Sequence, residues 1–581
     1  MHWPKFQLPL IRGALLILCR SLIGGVSLAS FAQLAEQTNQ SALLTIPARE
    51  ALAKQILVHA EIASAASDPT NRALVLYRTA GGWLALDSSH SIRLYRDSFS
   101  AARESTVAIR ERLEDAILNE LLPLSPSDVL DLLPKAESAT KNRYFSLVIV
   151  YWLLQGDYPK AVGAFESAIG NGILPDEYPD EGTSHLLATL PTRSSAERTR
   201  VFSEVIRYCQ GNPSPARPTG QPCGSLVSLV ARFYAQMPPT LVREAVHTVL
   251  ALAEQQDHQH PVGGSFGGAM QFHSNYDYQL FAVAHALQAV DQDQAAALFA
   301  QHPEAAEALK RFPEGPYDLS RNLAIIPNHQ KPMELRLWSN AGDALNLLPQ
   351  DIGLEFTVPR PFLPGVTGTG FPSYDQRGPE APVLDQLKTC PADTPQRLEQ
   401  LALTVPIVRQ VPMSCSGGGC SHMNTFPRPD LFQFLATVCI NFGGPAAARG
   451  LLHSQIALIK QMPEDDRADY LVGTADLYLR LGDRDAAADV SQEGFKLARA
   501  MYEHELTSDY LEKFAKGFWN SAEIYRQMIT LGVNASLDGT RKAVDEIPDA
   551  NLREIEQVMI ARALLGVPIR RQIIANPRAG L

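Results

Sequence analysis

A short glycine-rich segment at residues 263–267 carries the clearest match to a catalytic pattern. It reads Gly-Gly-Ser-Phe-Gly, the G-x-S-x-G arrangement of a nucleophilic serine, and His273 and Asp277 follow it. That arrangement needs a strand before the serine, whereas a helical pattern and a loop precede Ser265. The order Ser, His, Asp also differs from the Ser, Asp, His order of that hydrolase fold. We therefore expect a flexible connection, and a hydrolase that uses Ser265 is an alternative function.

A second set of candidate ligands lies at Cys415-Ser-Gly-Gly-Gly-Cys420-Ser-His422. Two thiolates and an imidazole are suitable ligands for zinc or Cu(I). A fourth ligand is not visible, and the two-residue cysteine spacing of common zinc knuckles is absent. The glycine linker lets the two sulfurs meet, so in an oxidising compartment we favour a Cys415–Cys420 disulfide. A metal or redox site at Cys415, Cys420 and His422 is the other alternative function.

Three histidines, His258, His260 and His273, surround the glycine-rich segment and could together hold a transition metal. No nearby carboxylate or cysteine spacing completes such a site, so we expect exposed loop histidines. The sequence also contains no Walker phosphate loop, dinucleotide-binding glycine fingerprint or H-E-x-x-H zinc helix. We therefore assign no catalytic residue, no metal and no cofactor.

The N-terminal segment has the pattern of a secretory signal peptide. Three basic residues and no acidic one accompany an apolar stretch at 21–29, and Ser30-Phe31-Ala32 provides small residues for a cut after Ala32. Arg12 and Arg20 interrupt the apolar residues, so no membrane span is expected in the mature chain. The pattern predicts an exported protein, periplasmic or extracellular, and an uncleaved anchor is the alternative.

The mature chain would keep six cysteines, an even number that in an exported protein is interpreted first as disulfides. Cys209 and Cys223 bracket a loop rich in Gly, Pro and Ser, and closing it would stabilise the fold by about 3 kcal/mol. With Cys415 and Cys420 paired, elimination leaves Cys390 with Cys439. The prediction is therefore three bridges.

The remaining sequence is organised as two helical regions around an irregular one. Stretches such as 103–122 and 239–255 place apolar residues three and four apart with charges on the other face, and strand signals are nearly absent. Helix after helix with short links implies antiparallel hairpins. Short extended runs are expected only at 333–338 and 354–358. The predicted parts are a signal peptide at 1–32, an N-terminal helical array at 33–312, a Pro/Gly-rich irregular insert at 313–426 and a C-terminal helical array at 427–581.

Residues 142–170 have the spacing of a packed helical hairpin. One face of each predicted helix carries large or small apolar residues, with a Gly156-Asp157 turn between them. These residues are Phe145, Val148, Ile149 and Trp152 before the turn and Ala161, Phe165 and Ala168 after it. The segment resembles a tetratricopeptide repeat, in which alanines let two helices approach and aromatics fill the groove to the next repeat.

A second match lies at 470–498, where Ala475, Tyr478, Gly482-Asp483 and Ala487 occupy the corresponding positions. It departs from the family pattern at Ser491 and Gly494, where an aromatic residue and alanine are usual. A poorer third candidate turns at Gly443-Gly444, and its turn lies 39 residues before Gly482 rather than 34. The resemblance implies a concave surface that binds a peptide or protein.

Composition restricts the class of partner. The 581 residues are 45% hydrophobic and 19% charged with a net charge of −11, and removing residues 1–32 leaves 48 basic against 62 acidic side chains. An acidic chain without clustered Lys and Arg is a poor match to nucleic acid. We predict an all-α protein of stacked antiparallel hairpins, tetratricopeptide-like, with a loop-rich insert. Its expected function is that of an exported scaffold that binds a protein or peptide and performs no chemistry.

Overall fold

The fold was analysed in a computed structural model of the whole chain. It describes residues 44–505, 521–567 and 570–571, apart from gaps of which the longest are 212–223, 326–355, 358–386 and 403–412. The predicted signal peptide and most of the predicted insert therefore lie outside the described residues.

Fifteen α-helices follow one another between residues 46 and 311 of the described chain. Short turns join most of them, as expected for helices that pack as antiparallel neighbours. They are α1 (Ile46–Ser64), α2 (Pro69–Trp83), α3 (Ser88–Ala102), α4 (Val107–Leu121), α5 (Pro126–Leu132), α6 (Ser138–Leu154), α7 (Tyr158–Gly170), α8 (Asp180–Thr189), α9 (Ser195–Gly211), α10 (Gly224–Phe233), α11 (Pro239–Gln259), α12 (Asn275–Ala282), α13 (Ala284–Val290), α14 (Gln292–Gln301) and α15 (Pro303–Arg311).

Eight more helices are described in the second half of the chain. They are α16 (Thr394–Ala402), α17 (Arg428–Asn441), α18 (Pro445–Ile459), α19 (Glu464–Arg480), α20 (Arg484–Glu505), α21 (Ser521–Ala535), α22 (Leu537–Asp545) and α23 (Ala550–Leu564). The all-α prediction is confirmed for the described residues. Helix α16 lies within the segment that the sequence predicts to be irregular. None of the described helices is both long and apolar enough to cross a bilayer.

β-Structure in the described residues is limited to three short antiparallel pairs. They are β1 (Ser265–Phe266) with β2 (Met270–Gln271), β3 (Phe356–Thr357) with β6 (Arg570–Arg571), and β4 (Met413–Ser416) with β5 (Gly419–His422). Strand β3 falls within one of the two predicted extended runs, 354–358, and the other run, 333–338, lies outside the described residues. Two-stranded pairs of this size have little stability of their own, so the helices carry the fold.

Three helical hairpins share one turn geometry. Gly156, Gly443 and Gly482 follow the helices α6, α17 and α19 with φ angles of 71°, 82° and 72°, which favour glycine. In each turn the residue after the glycine donates its N–H to the carbonyl five residues earlier. These bonds are Asp157 to Trp152 (2.9 Å), Gly444 to Cys439 (2.8 Å) and Asp483 to Tyr478 (2.9 Å). The turns therefore satisfy helix-end carbonyls while reversing the chain.

The α6–α7 hairpin buries the faces that its sequence spacing predicts. The fully buried residues of these predicted faces are Phe145, Val148, Ile149, Ala161, Phe165 and Ala168. Trp152 is only partly buried, and the Lys160 ammonium lies 4.3 Å from the centre of its ring. The small alanine side chains of α7 allow it to lie close to α6.

Helix α8 also approaches α6 very closely, at Gly182. A Cβ atom at this position would lie 2.7 Å from the Cα of Ser146, a backbone atom that cannot move aside. The Gly182 N–H donates to Ser146 Oγ at 3.3 Å. The absence of a side chain at Gly182 therefore sets the distance between the two helices.

We expect Gly182→Ala to lower the free energy of unfolding by about 1–3 kcal/mol, because the added methyl group forces α8 away from α6. Gly163→Ala is the matched control, since Gly163 is an exposed helical glycine with nothing within 4 Å of the added atom. That change should stabilise by up to about 1 kcal/mol through helix propensity. Urea unfolding of both variants tests this, and equal effects of the same sign would contradict it.

The helix α23 packs against α2, which lies near the other end of the described chain. Asn71 Nδ2 donates to Asn551 Oδ1 at 3.1 Å across this contact. At Gly81 a Cβ atom would lie 3.0 Å from Nη1 of Arg562, so the α2 backbone directly faces that side chain. The two predicted helical arrays therefore contact each other, and we call this contact the α2–α23 junction.

Ionisable side chains are buried in the α2–α23 junction and in the neighbouring helix α21. Glu523 of α21 accepts from Arg526 Nη2 at 2.6 Å and from Gln527 Nε2 at 2.8 Å. Glu556 of α23 is fully buried, and neither carboxyl oxygen has a hydrogen-bond partner among the described residues. Loss of hydration outweighs the attraction of Arg526 and Arg78 and raises the pKa of Glu556 to about 8.

Glu556 should therefore make the protein less stable as the pH rises. Its folded-state pKa of about 8 exceeds its ordinary value of 4.5, so its stabilising contribution is complete below pH 4.5 and is lost as the pH rises through 8. Glu556→Gln removes this pH dependence. The difference in Tm, variant minus native chain, should therefore increase between about pH 5 and about pH 9. The exposed Glu503→Gln serves as control, and parallel Tm curves for Glu556→Gln and the native chain would contradict the prediction.

Candidate functional site

A groove of about 720 Å³ opens between α18 and α20, with α19 forming its floor. Its volume lies in the range of about 300–1,000 Å³ that is typical of ligand sites. We call it the α18–α20 groove. It is lined by His453, Ile456, Ile459, Lys460, Glu464, Arg467, Leu471, Tyr478, Ala486, Asp489, Val490, Gln492, Glu493, Lys496, Leu497 and Ala500.

The groove arises from the way two successive hairpins stack. Helices α18 and α20 are the second helices of the α17–α18 and α19–α20 hairpins, and α19 packs against both of them. Arg467 of α19 donates Nε to the carbonyl of Met462 at 2.7 Å and Nη2 to that of Lys460 at 3.3 Å. These bonds satisfy carbonyls at the end of α18 and fix that wall of the groove.

Apolar side chains from all three helices line the groove, together with polar and charged ones. Ile456 of α18 and the buried Leu471 of α19 face it from two sides. Helix α20 contributes a stripe at alternating intervals of four and three residues: Ala486, Val490, Glu493, Leu497 and Ala500. This spacing keeps the stripe on one face of the helix along its length.

Each rim of the groove carries one charged side chain without an ion-pair partner among the described residues, and the two charges are of opposite sign. Lys460 and the imidazole of His453 lie on the α18 rim, and Asp489, Glu493 and Lys496 lie on the α20 rim. Lys496 forms an exposed pair with Glu493 at 2.7 Å, which contributes little to stability and can exchange partners. Neither Lys460 nor Asp489 forms an ion pair with any other described residue. A ligand with charges of the complementary pattern could therefore pair with both rims.

Tyr478 places a phenol at the base of the groove. Its side chain is almost entirely buried, and burial together with the negative charge of Asp483 raises the pKa of Tyr478 to about 12. The phenol therefore stays protonated near neutral pH. It can donate a hydrogen bond but cannot serve as a base.

The structure describes the contacts of two residues of the serine-hydrolase alternative, His273 and Asp277. Ser265 lies in the two-residue strand β1 and follows helix α11 rather than a longer strand. His273 forms an ion pair with Glu304. Asp277 accepts from Ser274 Oγ at 2.6 Å and lies 3.1 Å from His302 Nδ1. Both predicted partners of Ser265 are thus engaged with other side chains.

The two described histidines near this segment contact different carboxylates. His258 is largely exposed, with its Nε2 3.9 Å from Glu254 Oε1, and His273 contacts Glu304 instead. His260 lies outside the described residues. Within the described part of the chain, no three His, Cys, Asp or Glu side chains lie close enough to hold a metal ion.

A disulfide links the end of the predicted insert to the C-terminal array. Cys390, just before α16, is disulfide-bonded to Cys439 of α17, with their Cα atoms 5.4 Å apart. Cys209 is buried and disulfide-bonded, and Cys223, the partner predicted for it, lies outside the described residues.

Cys415 and Cys420 are direct partners in the β4–β5 register, in which His422 pairs with Met413. Residues opposite each other in an antiparallel pair have Cα atoms about 4.5–5.5 Å apart, within the disulfide range of about 4.4–6.8 Å. The backbone therefore brings these two cysteines together as a disulfide requires.

The α18–α20 groove was not predicted from the sequence. The repeat match at 470–498 covers its floor and much of one wall, but the other wall belongs to the hairpin with the irregular turn spacing at Gly443-Gly444. The only available signal was the stripe in α20, whose intervals of four and three residues also fit an ordinary core face.

Comparisons with known proteins add little to this geometry. No protein-family model matches the sequence, and no curated protein matches it. One solved structure, described as a circular tandem repeat protein with novel repeat topology and enhanced subunit contact surfaces, aligns with 12% identity over 90% of this chain and 98% of that chain, with a TM-score of 0.14. The helices themselves define the class: an all-α protein of stacked helical hairpins.

We expect the Cys415–Cys420 pair to be a disulfide in the purified native protein. Digestion without reduction, followed by mass spectrometry, should yield a peptide cross-linked at these two positions. The Cys390–Cys439 bridge provides the internal control for the same digest. The disulfide would be contradicted if Cys415 and Cys420 were alkylated without prior reduction. Bound metal that is lost in Cys420→Ser would then support the metal alternative.

Proposed function

We propose that this protein is a helical-repeat scaffold that binds a protein or peptide partner in the α18–α20 groove. The observation that carries the proposal is an open groove between two stacked hairpins, with apolar side chains in its lining and charged side chains on its rims. Apolar contact supplies affinity in such sites, and a few charged side chains on the rim supply orientation and specificity.

The hairpins that form the groove support the proposed scaffold function. One of them, α19–α20, includes the 470–498 segment that resembles a tetratricopeptide repeat, and such stacked repeats use extended surfaces to bind partners. The groove lies on the side formed by the second helices of the hairpins. We propose a tetratricopeptide-like mode of binding for this site, with no chemical step.

Export is part of the proposal. The N-terminal pattern predicts a signal peptide, and the Cys390–Cys439 disulfide is of a kind that persists in oxidising compartments. The partner would then be a protein or peptide that reaches the periplasm or the extracellular space.

The test is selection of random displayed peptides on the full chain, followed by fluorescence anisotropy with the selected peptides. Ala500→Arg places a long charged side chain in the groove at a half-buried position, and we expect it to weaken binding about tenfold or more. Ala457→Arg is the matched control, because Ala457 is exposed on α18 and does not line the groove.

Circular dichroism and thermal unfolding establish that both arginine variants fold. Peptides that bind native protein and Ala500→Arg equally well would place the binding site elsewhere. If neither random peptides nor peptides with a helix-forming framework are enriched, a peptide-binding function of this groove is wrong.

A further inference from the structure

The walls of the α18–α20 groove restrict the kind of backbone that can lie in it. All three walls are helices, so their backbone N–H and C=O groups along the groove are bonded within each helix. An extended peptide in the groove would find no backbone partners along these helices, and each backbone group that it buries without a partner costs free energy. A helical ligand satisfies its backbone internally and presents only side chains.

The spacing of the α20 wall matches a helix better than a strand. The stripe from Ala486 to Ala500 spans fourteen residue steps, so about 21 Å at about 1.5 Å per residue. Its members recur on average every 3.5 residues, or about 5 Å along the axis, whereas side chains on one face of a strand recur about every 6.6–6.8 Å. Intervals of four and three residues allow a second helix to insert side chains between those of the first.

The rims add a charge pattern to this shape. Lys460 and the imidazole of His453 border one side of the groove, while Asp489 and the Glu493–Lys496 pair border the other. A helix lying between them would meet the ammonium group of Lys460 along one flank and the carboxylate of Asp489 along the other. Its own flanks should therefore carry acidic residues towards α18 and basic residues towards α20.

We propose that the occupant of the groove is an amphipathic α-helix of a partner protein, with an apolar stripe flanked by acidic residues on the α18 side and basic residues on the α20 side. This proposal rests on the proposed function and names the class of partner. The apolar stripe contacts the half-buried Ile456, Ala486 and Ala500, and the flanks pair with Lys460 and Asp489. The partner helix thereby has one preferred orientation about its own axis.

The experiment compares two displayed peptide libraries on the full chain. The first has a helix-forming framework with randomised residues at the stripe and flank positions, and the second is identical except for a fixed central proline, which breaks the helix. We expect enrichment from the first library only. Synthetic peptides from that library should gain helical circular dichroism on binding and lose about tenfold or more affinity when the proline is introduced.

A charge-reversed protein tests the flank assignment. Lys460→Glu combined with Asp489→Lys exchanges the rim charges at two exposed positions, and we expect helices selected on this variant to carry their acidic and basic flanks exchanged. Peptides with the native charge order should bind the variant about tenfold or more weakly, and the exchanged peptides should bind it better than they bind the native chain.

Each remaining outcome contradicts a defined part of the proposal. Enrichment from the proline library, or random peptides that bind in an Ala500→Arg-sensitive way without gaining helicity, would overturn the helical occupant and leave the proposed function intact. Helices enriched with no change of flank charge on the reversed variant would overturn the charge pattern. No enrichment from either library or from random peptides would overturn both proposals.

Discussion

The packing of α23 against α2 is the contact on which the rest of the stack depends. In a stack of hairpins each unit buries its apolar faces only against its neighbours, so the terminal units need a cover. Every residue from Val75 to Trp83 in α2 is buried, and a helix that is buried all round needs partners on opposite sides. Helix α3 provides one partner and α23 provides another. The C-terminal array thereby covers the first helices of the N-terminal one.

The sequence could not predict this junction, because the residues that form it are far apart in the chain. Asn71 and Asn551 are separated by 480 positions, and no local pattern connects them. Glu556 occurs among several charged residues of α23, where sequence reasoning assigns it to a solvated face. Only the tertiary packing shows that it is fully buried. By contrast, the helices and the turns at Gly156 and Gly482 follow from local spacing, and the structure contains them where the spacing predicts them.

The same distinction applies to the sequence motifs of this chain. The Gly-Gly-Ser-Phe-Gly segment fits a catalytic pattern in its letters, but a nucleophile depends on the groups that surround it. His273 is held by Glu304, 31 positions later, and Asp277 by its neighbour Ser274 and by His302. The α18–α20 groove, in turn, has no motif because its walls come from two hairpins whose turns are 39 residues apart. Only part of the candidate site could therefore be predicted, namely the α19–α20 hairpin.

The groove and the junction belong to one series of helix contacts, which bears on how a partner binds. The face of α20 opposite the groove packs on α21, with Gly494 directly against Met528 and the ring of Phe495 stacked on Tyr525. Helix α21 packs on α23, and α23 packs on α2. Because the α20 wall is supported from behind by this series, it is already ordered before a ligand arrives. The protein then loses little conformational entropy on binding. Most of the free energy gained by burying an apolar face of the ligand therefore contributes to affinity.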